Sequence, residues 1–327
     1  HTGQHYDHNM SQAFFDCLHI PEPDYNLNIG SGSHGQMTGA MLVGIEKVLL
    51  KEEPDWVLVY GDTNSTLAGA LAASKLNIPI SHVEAGLRSF NRRMPEEINR
   101  VLTDHVSTLL FAPTETAVSN LENEGIVKGV IQVGDVMFDN YMLFRILAMQ
   151  KSDILKELDI RPKEYCLATV HRQENTDDGE RLYSIFRAMN EISRQYCPVI
   201  LPMHPRTRKA LEKHHLTIES LSNILFIDPV DYLDMICLQV NAEVIFTDSG
   251  GVQKEAYFAG VPCVTLREET EWVETVDAGV NILCGSDQRE IIIAYSKACR
   301  TKVSLLDGLY GDGKAGTAII QSLIENS

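Results

Sequence analysis

Short runs of consecutive apolar residues alternate along this chain with longer stretches whose apolar positions recur every three or four residues. The runs WVLVYGD (56–62), PISHVEAG (79–86), TLLFAP (108–113) and VIQVGDV (130–136) each read as a strand. Between them, MTGAMLVGIEKVLLKE, STLAGALAASKLN, PEEINRVLTDHVS and TETAVSNLENEG read as helices. A strand that is apolar at every position, not every second one, is covered on both faces. The pattern therefore predicts α/β architecture: doubly wound parallel sheets with right-handed crossovers. A second series follows, with strands in EYCLATVHR, PVILPMH, NILFIDP, AEVIFTDSGG, VPCVTLR and VNILCG. The stretch from Gly134-Asp135 through KSDILKELDIRPKE reads as the passage between two Rossmann-like domains, 1–134 and 135–305. A Gly-rich turn and a last helix, YGDGKAGTAIIQSLIEN, close the chain. Its packing partner cannot be read from spacing.

Charge narrows the partners. With 45 acidic against 28 basic residues the formal net charge is −17, which repels nucleic acid and anionic membrane surfaces. No apolar run approaches the roughly 18 to 20 residues of a membrane span. The seven cysteines are scattered and odd in number, with no C-x-x-C, which points to reduced thiols and a cytoplasmic protein. The chain opens at His1 with HTGQHYD, which reads as a loop after a preceding strand.

Candidate chemistry lies at strand ends, where open parallel sheets bind ligands. In TDSGGVQKEA, Ser249 can cap a helix, Gly250 and Gly251 let backbone approach a ligand, and the free N–H groups attract phosphate. Glu255, six residues after Ser249, is placed to accept from ribose hydroxyls. The bland alternative is a capped helix after a tight turn. His171 and Arg172 follow the first strand of the second series, where Arg172 suits a diphosphate and His171 can donate or act as an acid. Either can equally be structural. In the first series, Asp62 and Glu84 end apolar runs at Gly-flanked turns, and Glu96 opens a helix after Pro95. Singly, Asp62 can be an N-cap, Glu84 a partner for Arg88 four residues on, and Glu96 and Glu97 the expected acids at a helix start. Together they read as a set of proton-transfer groups with Arg88, Arg92, Arg93 and Arg100 as counter-charge. No H-E-x-x-H or zinc spacing, no P-loop and no G-x-S-x-G occurs, so no metal or other cofactor is expected.

Seven motifs in register, GDTNSTLAGALAA, HVEAGLRSF, PEEINRVLTDH, FAPTETAVSNL, VHRQEN, TDSGGVQKEA and YGDGKA, resemble the non-hydrolysing UDP-N-acetylglucosamine 2-epimerases along nearly the whole chain. The resemblance implies a GT-B fold with substrate between two domains, a last helix (306–327) returning to the first, and a homodimer. It implies inversion at C2 of a UDP-2-acetamido sugar through a bound glycal, supplying polysaccharide precursors. Asp62, Glu84 and Glu96 become its acid/base set, with His171 near the diphosphate. Arg88, Arg100, Arg172, Ser249, Gly250, Gly251, Glu255 and Arg267 become substrate and UDP contacts.

Three departures from the family pattern stand out. The family's G-x-R-P-E loop has no counterpart after His1. QHYDHNM replaces the Q-H-R-x-M-L of allosterically activated members. TEWVE puts Trp272 where T-E-R-P-E has Arg. The last, with SFNRRMPEE, resembles the branch containing UDP-2,3-diacetamido-2,3-dideoxyglucuronate 2-epimerases. A GT-B glycosyltransferase, or a UDP-sugar-binding module without turnover, shares the fold and nucleotide site. The epimerase mechanism requires positions 62, 84 and 96 to converge and face the Ser249 turn.

Overall fold

Ten strands form in the computed structural model, which describes residues 1–3, 21–304 and 308–326. The HYDHNM segment and Cys17 lie outside the described residues. The chain divides into two compact units, His1–Asp139 with Asp307–Ser327, and Asn140–Leu306.

The first unit carries β1 (Val57–Tyr60), β2 (Ile80–Val83), β3 (Leu109–Ala112) and β4 (Val130–Gln132) in that spatial order. All pairs are parallel, with Tyr60 opposite Val83 and Val83 opposite Phe111. Leu109 and Phe111 pack on one face with Val83 and Ile319, while Leu110, between them, packs on the other with Ala85 and Leu121. Burial of both faces is why β3 reads as an unbroken apolar run. Ile319 belongs to the helix Ala315–Glu325, so the chain's last helix packs on this first sheet.

Helix His34–Glu52 begins three residues before the predicted Met37. Ser33 and Gln36 make a reciprocal capping box there, which satisfies N-terminal amides without any apolar signal. The passage between units falls inside helix Val136–Lys151, later than the predicted 134/135 boundary. The Asp135 carboxylate accepts from Met137 N at 2.8 Å, so a helix starts where the polar Gly-Asp pair reads as a linker.

The second unit carries β5 (Cys166–Thr169), β6 (Val199–Pro202), β7 (Ile224–Ile227), β8 (Val244–Thr247), β9 (Cys263–Thr265) and β10 (Asn281–Leu283). Their spatial order is β10-β9-β8-β5-β6-β7, again all parallel. Phe186, Val199, Leu201, Phe246 and Tyr295 fill its largest core cluster. Successive connections run one way from β5 and the other way from β8, so chain direction across the sheet reverses between those strands. That reversal opens the crevice in which α/β sheets bind ligands. Among the described residues, no helix is long and apolar enough to cross a membrane.

Candidate active site

β1 ends at Tyr60, and Gly61 turns the chain at φ +61°, a left-handed value natural to glycine. Thr63, not Asp62, caps the following helix, sharing a capping box with Thr66. Asp62 is thereby released from capping. Its carboxylate accepts from Arg100 Nη2 at 2.5 Å, and its carbonyl from Asn99 Nδ2 at 2.9 Å. Both partners come from helix Pro95–Val106, which fixes Asp62 from the side of β2 and β3.

Glu84 follows β2 at φ +74°. A non-glycine residue there costs on the order of 1 kcal/mol or more, and its N–H is held by the Phe111 carbonyl at 3.1 Å. Glu84 Oε2 stands 3.3 Å from where a Gly61 Cβ would be. The structure thus brings the Glu84 carboxylate against the turn that carries Asp62. Glu84 does not pair with Arg88. That guanidinium, 3% exposed, binds Asp104 Oδ2 at 2.7 Å and both Glu124 oxygens at 2.6 and 2.8 Å. Burial alone would lower the Arg88 pKa, but Glu124 and Asp104 together raise it above its ordinary value. Arg88 is spent on protein carboxylates, against the expectation of a substrate contact.

The two acids at the next helix start divide. Glu97 is buried and accepts from Ser89 N, Ser89 Oγ and Phe90 N at 2.9 to 3.0 Å, and from Arg100 at 3.2 Å. It folds the Ser89–Phe90 loop. Glu96 is half-buried in the first turn, and its side chain makes no hydrogen bond or ion pair with any described residue.

In the second unit, the two crevice loops are tied together by Asp248. This fully buried carboxylate accepts from His171 N at 3.0 Å, Arg172 N at 3.0 Å and Asn175 Nδ2 at 3.1 Å. The His171 ring, 34% exposed, stacks on His204 with centroids 5.1 Å apart. Its Nδ1 lies 3.8 Å from Asp248. Ser249 caps helix Gly250–Ala259 through Val252 N. A Cβ on Gly250 would meet Glu271 Oε1 at 2.4 Å and Trp272 Nε1 at 3.3 Å, so any larger residue there would have to displace the Glu271 carboxylate. Gly251 is half-buried beside it. Arg267, 2% exposed, gives Nη2 to Glu271 at 3.0 Å, while its Nε and Nη1 have no partner among the described residues. Orphaned buried guanidinium N–H groups call for an acceptor. Trp272 is buried, and the Lys254 ammonium sits 3.9 Å from its ring centroid, a cation–π pair in low dielectric.

Glu255, 7% exposed, takes one strong bond from Gln239 Nε2 at 2.6 Å. Burial pushes its carboxyl up to about 7, outweighing the Gln239 bond and nearby Lys254. A raised acid holds its proton more tightly folded than unfolded. Its contribution to stability is therefore greatest below 4.5, the unfolded value, and declines as pH rises through about 7. In the ligand-free protein, Glu255→Gln should remove on the order of 3 kcal/mol of this decline between about pH 5 and pH 8. Chemical denaturation of both proteins across that range measures it. Parallel curves would mean that Glu255 is ionised throughout.

Spacing did not single out Asp248, Asn175, Asn99, Glu97 or Lys254 for these roles. Only Asp248 carried a usable signal, since a carboxylate between a buried strand and a glycine pair must bond something local. Among the described residues, no group of three or more His, Cys, Asp or Glu side chains is arranged to hold a metal ion.

Two parallel α/β units, one with its strand order reversing beside a Ser-Gly-Gly helix start, define the GT-B class of fold. Residues 1–324 match the family model described as UDP-N-acetylglucosamine 2-epimerase, and the chain belongs to that family. It is 58% identical to a UDP-N-acetylglucosamine 2-epimerase homolog of Methanococcus maripaludis over 99% of this chain and 90% of that one. It is 54% identical to the UDP-2,3-diacetamido-2,3-dideoxy-D-glucuronate 2-epimerase of Pseudomonas aeruginosa, again over 99% and 90%. The crystal structure of Methanocaldococcus jannaschii UDP-GlcNAc 2-epimerase in complex with UDP-GlcNAc and UDP superposes with a TM-score of 0.93. That protein is 48% identical, with 99% of this chain and 91% of that chain covered.

Proposed function

We propose that this enzyme inverts C2 of a UDP-2-acetamido sugar, converting UDP-N-acetylglucosamine to its manno epimer without hydrolysis. The observation that carries the reading is the junction of β1 and β2, where Glu84 lies against the Asp62 turn and Arg100 clamps Asp62. A C2–H beside an acetamido group is a poor acid, so the base must be held in place while the leaving group's charge is stabilised. In the first step a carboxylate takes the C2 proton. The C–H electron pair becomes the C1=C2 bond, and the C1–O bond breaks onto the UDP phosphate. In the second, a proton is delivered to the opposite face of C2 and a UDP oxygen returns to C1. Two faces call for two groups or one mobile group, and Asp62, Glu84 and Glu96 form the acid/base set.

The second unit holds the leaving group. Gly250 and Gly251 offer N–H groups and Ser249 its hydroxyl at a helix start, and His171 and Arg172 stand on the neighbouring loop at the sheet's reversal. The unpaired N–H groups of Arg267 suit an anion, and Glu255 suits ribose hydroxyls. The enzyme works as a cytoplasmic homodimer supplying polysaccharide precursors.

A second substrate reading is favoured by Trp272. It buries the position that is Arg in much of the family and engages Lys254, and one relative at 54% identity acts on a diacetamido-glucuronate. In D2O, incubation with UDP-N-acetylglucosamine and with UDP-2,3-diacetamido-2,3-dideoxyglucuronate should place deuterium at C2 of one of them. Exchange with neither overturns the proposal. Sugar transfer to an added acceptor without exchange would mark a glycosyltransferase instead.

A further inference from the structure

His82, in β2, has its side chain fully buried two residues before Glu84. Its two ring nitrogens both meet oxygen. Nδ1 lies 2.6 Å from Asp104 Oδ1, and Nε2 lies 2.8 Å from the carbonyl of Gly61. A backbone carbonyl only accepts, so Nε2 must carry hydrogen. Asp104 accepts as well from Gly86 N at 3.1 Å and Arg88 Nη1 at 2.7 Å. Burial pushes the Asp104 carboxyl up, but His82 and then Arg88 outweigh it and hold the group below its usual range. The buried ring is thus held at both nitrogens, in a chain of polar contacts that runs His82, Asp104, Arg88, Glu124.

The far end of that chain is the catalytic turn. The carbonyl that His82 grips belongs to Gly61, whose left-handed turn delivers Asp62 to Arg100 and lies against the Glu84 carboxylate. Helix Pro95–Val106 supplies Asp104 to His82 and Asn99 and Arg100 to Asp62. One helix therefore anchors the turn from below through His82 and from beside through Asp62.

We infer that His82 is a positioning residue, whose buried ring bridges Asp104 and the Gly61 carbonyl and so fixes the Gly61–Asp62 turn for proton transfer at C2. This rests on the function proposed above. Loss of the grip should misplace the carboxylates without touching the nucleotide site, which lies in other loops.

Histidine-selective 15N NMR of the whole protein tests the grip. An Nε2–H signal for His82, slow to exchange with solvent, is expected, and a bare Nε2 overturns the inference. Kinetics test the role. His82→Leu should lower kcat on the order of 100-fold, and His82→Gln, which keeps an uncharged donor for Gly61, on the order of 10-fold. UDP affinity and KM should stay within about twofold, because binding contacts are intact. Wild-type kcat in both variants, or an equal rise in KM, overturns it. If the leucine variant fails to fold, the glutamine variant and the wild-type spectrum still decide. A wild-type protein inert toward both UDP-sugars would sink the proposed function, while the ring-nitrogen spectrum would still judge the hydrogen bond from His82 to Gly61.

Discussion

Asp62→Asn and Glu84→Gln should each lower kcat on the order of 100-fold or more, with folding nearly unchanged. The magnitude is that of losing a positioned proton-transfer group. The structure explains why stability should survive. Asp62 is not the helix cap, a task held by Thr63, and an amide at 62 still accepts from Arg100 Nη2. At 84, glutamine keeps the side-chain shape and the bond from its N–H to Phe111. Steady-state kinetics, with C2 proton exchange followed by NMR, makes the measurement. A variant that melts early yet retains full turnover per folded molecule would reduce its residue to a structural part. Glu96→Gln belongs in the same series, because Glu96 has no partner among the described residues whose loss could account for an effect.

Arg88→Met should fail in the opposite way. Asp104 and Glu124 would lose their shared guanidinium, and the Asp104 side chain is fully buried. Removing one member of a buried pair costs about 3–5 kcal/mol, because the remaining charge is left uncompensated. For a unit of this size that is a fall of roughly 10 °C in melting temperature. Nucleotide affinity of the folded fraction should hold, since Arg88 is nearly sealed from solvent. Calorimetric melting with and without UDP separates the two quantities. An unchanged melting point with weakened UDP binding would restore Arg88 to the substrate.

These contrasting fates show what the sequence made legible. The sheets were readable because strands buried on both faces are apolar at every position, and β3 and β8 are examples. Strand-end acids were readable because parallel sheets put their ligand side at one end. Helix starts were harder, since Ser33 and Thr63 act through side-chain oxygens three residues away and leave no periodic trace. Pairings among charges were hardest. Arg88 lies four residues from Glu84, yet it binds Glu124, 36 residues on, because Glu84 adopts a left-handed backbone at the end of β2. His82 was hidden for the same reason: its value comes from Asp104 and Gly61, one on the next helix and one at the end of the neighbouring strand. Family resemblance implied the acid/base role proposed for Asp62, Glu84 and Glu96. Only coordinates could sort Arg100, beside Asp62, from Arg88, beside Asp104.

Under the proposed mechanism, the backbone at Glu84 sets stability against chemistry at a single position. Glycine there would relax a conformation that L-residues resist, so the more durable protein is the one lacking the carboxylate. Thermal hardening of this enzyme by mutation must therefore pass around position 84.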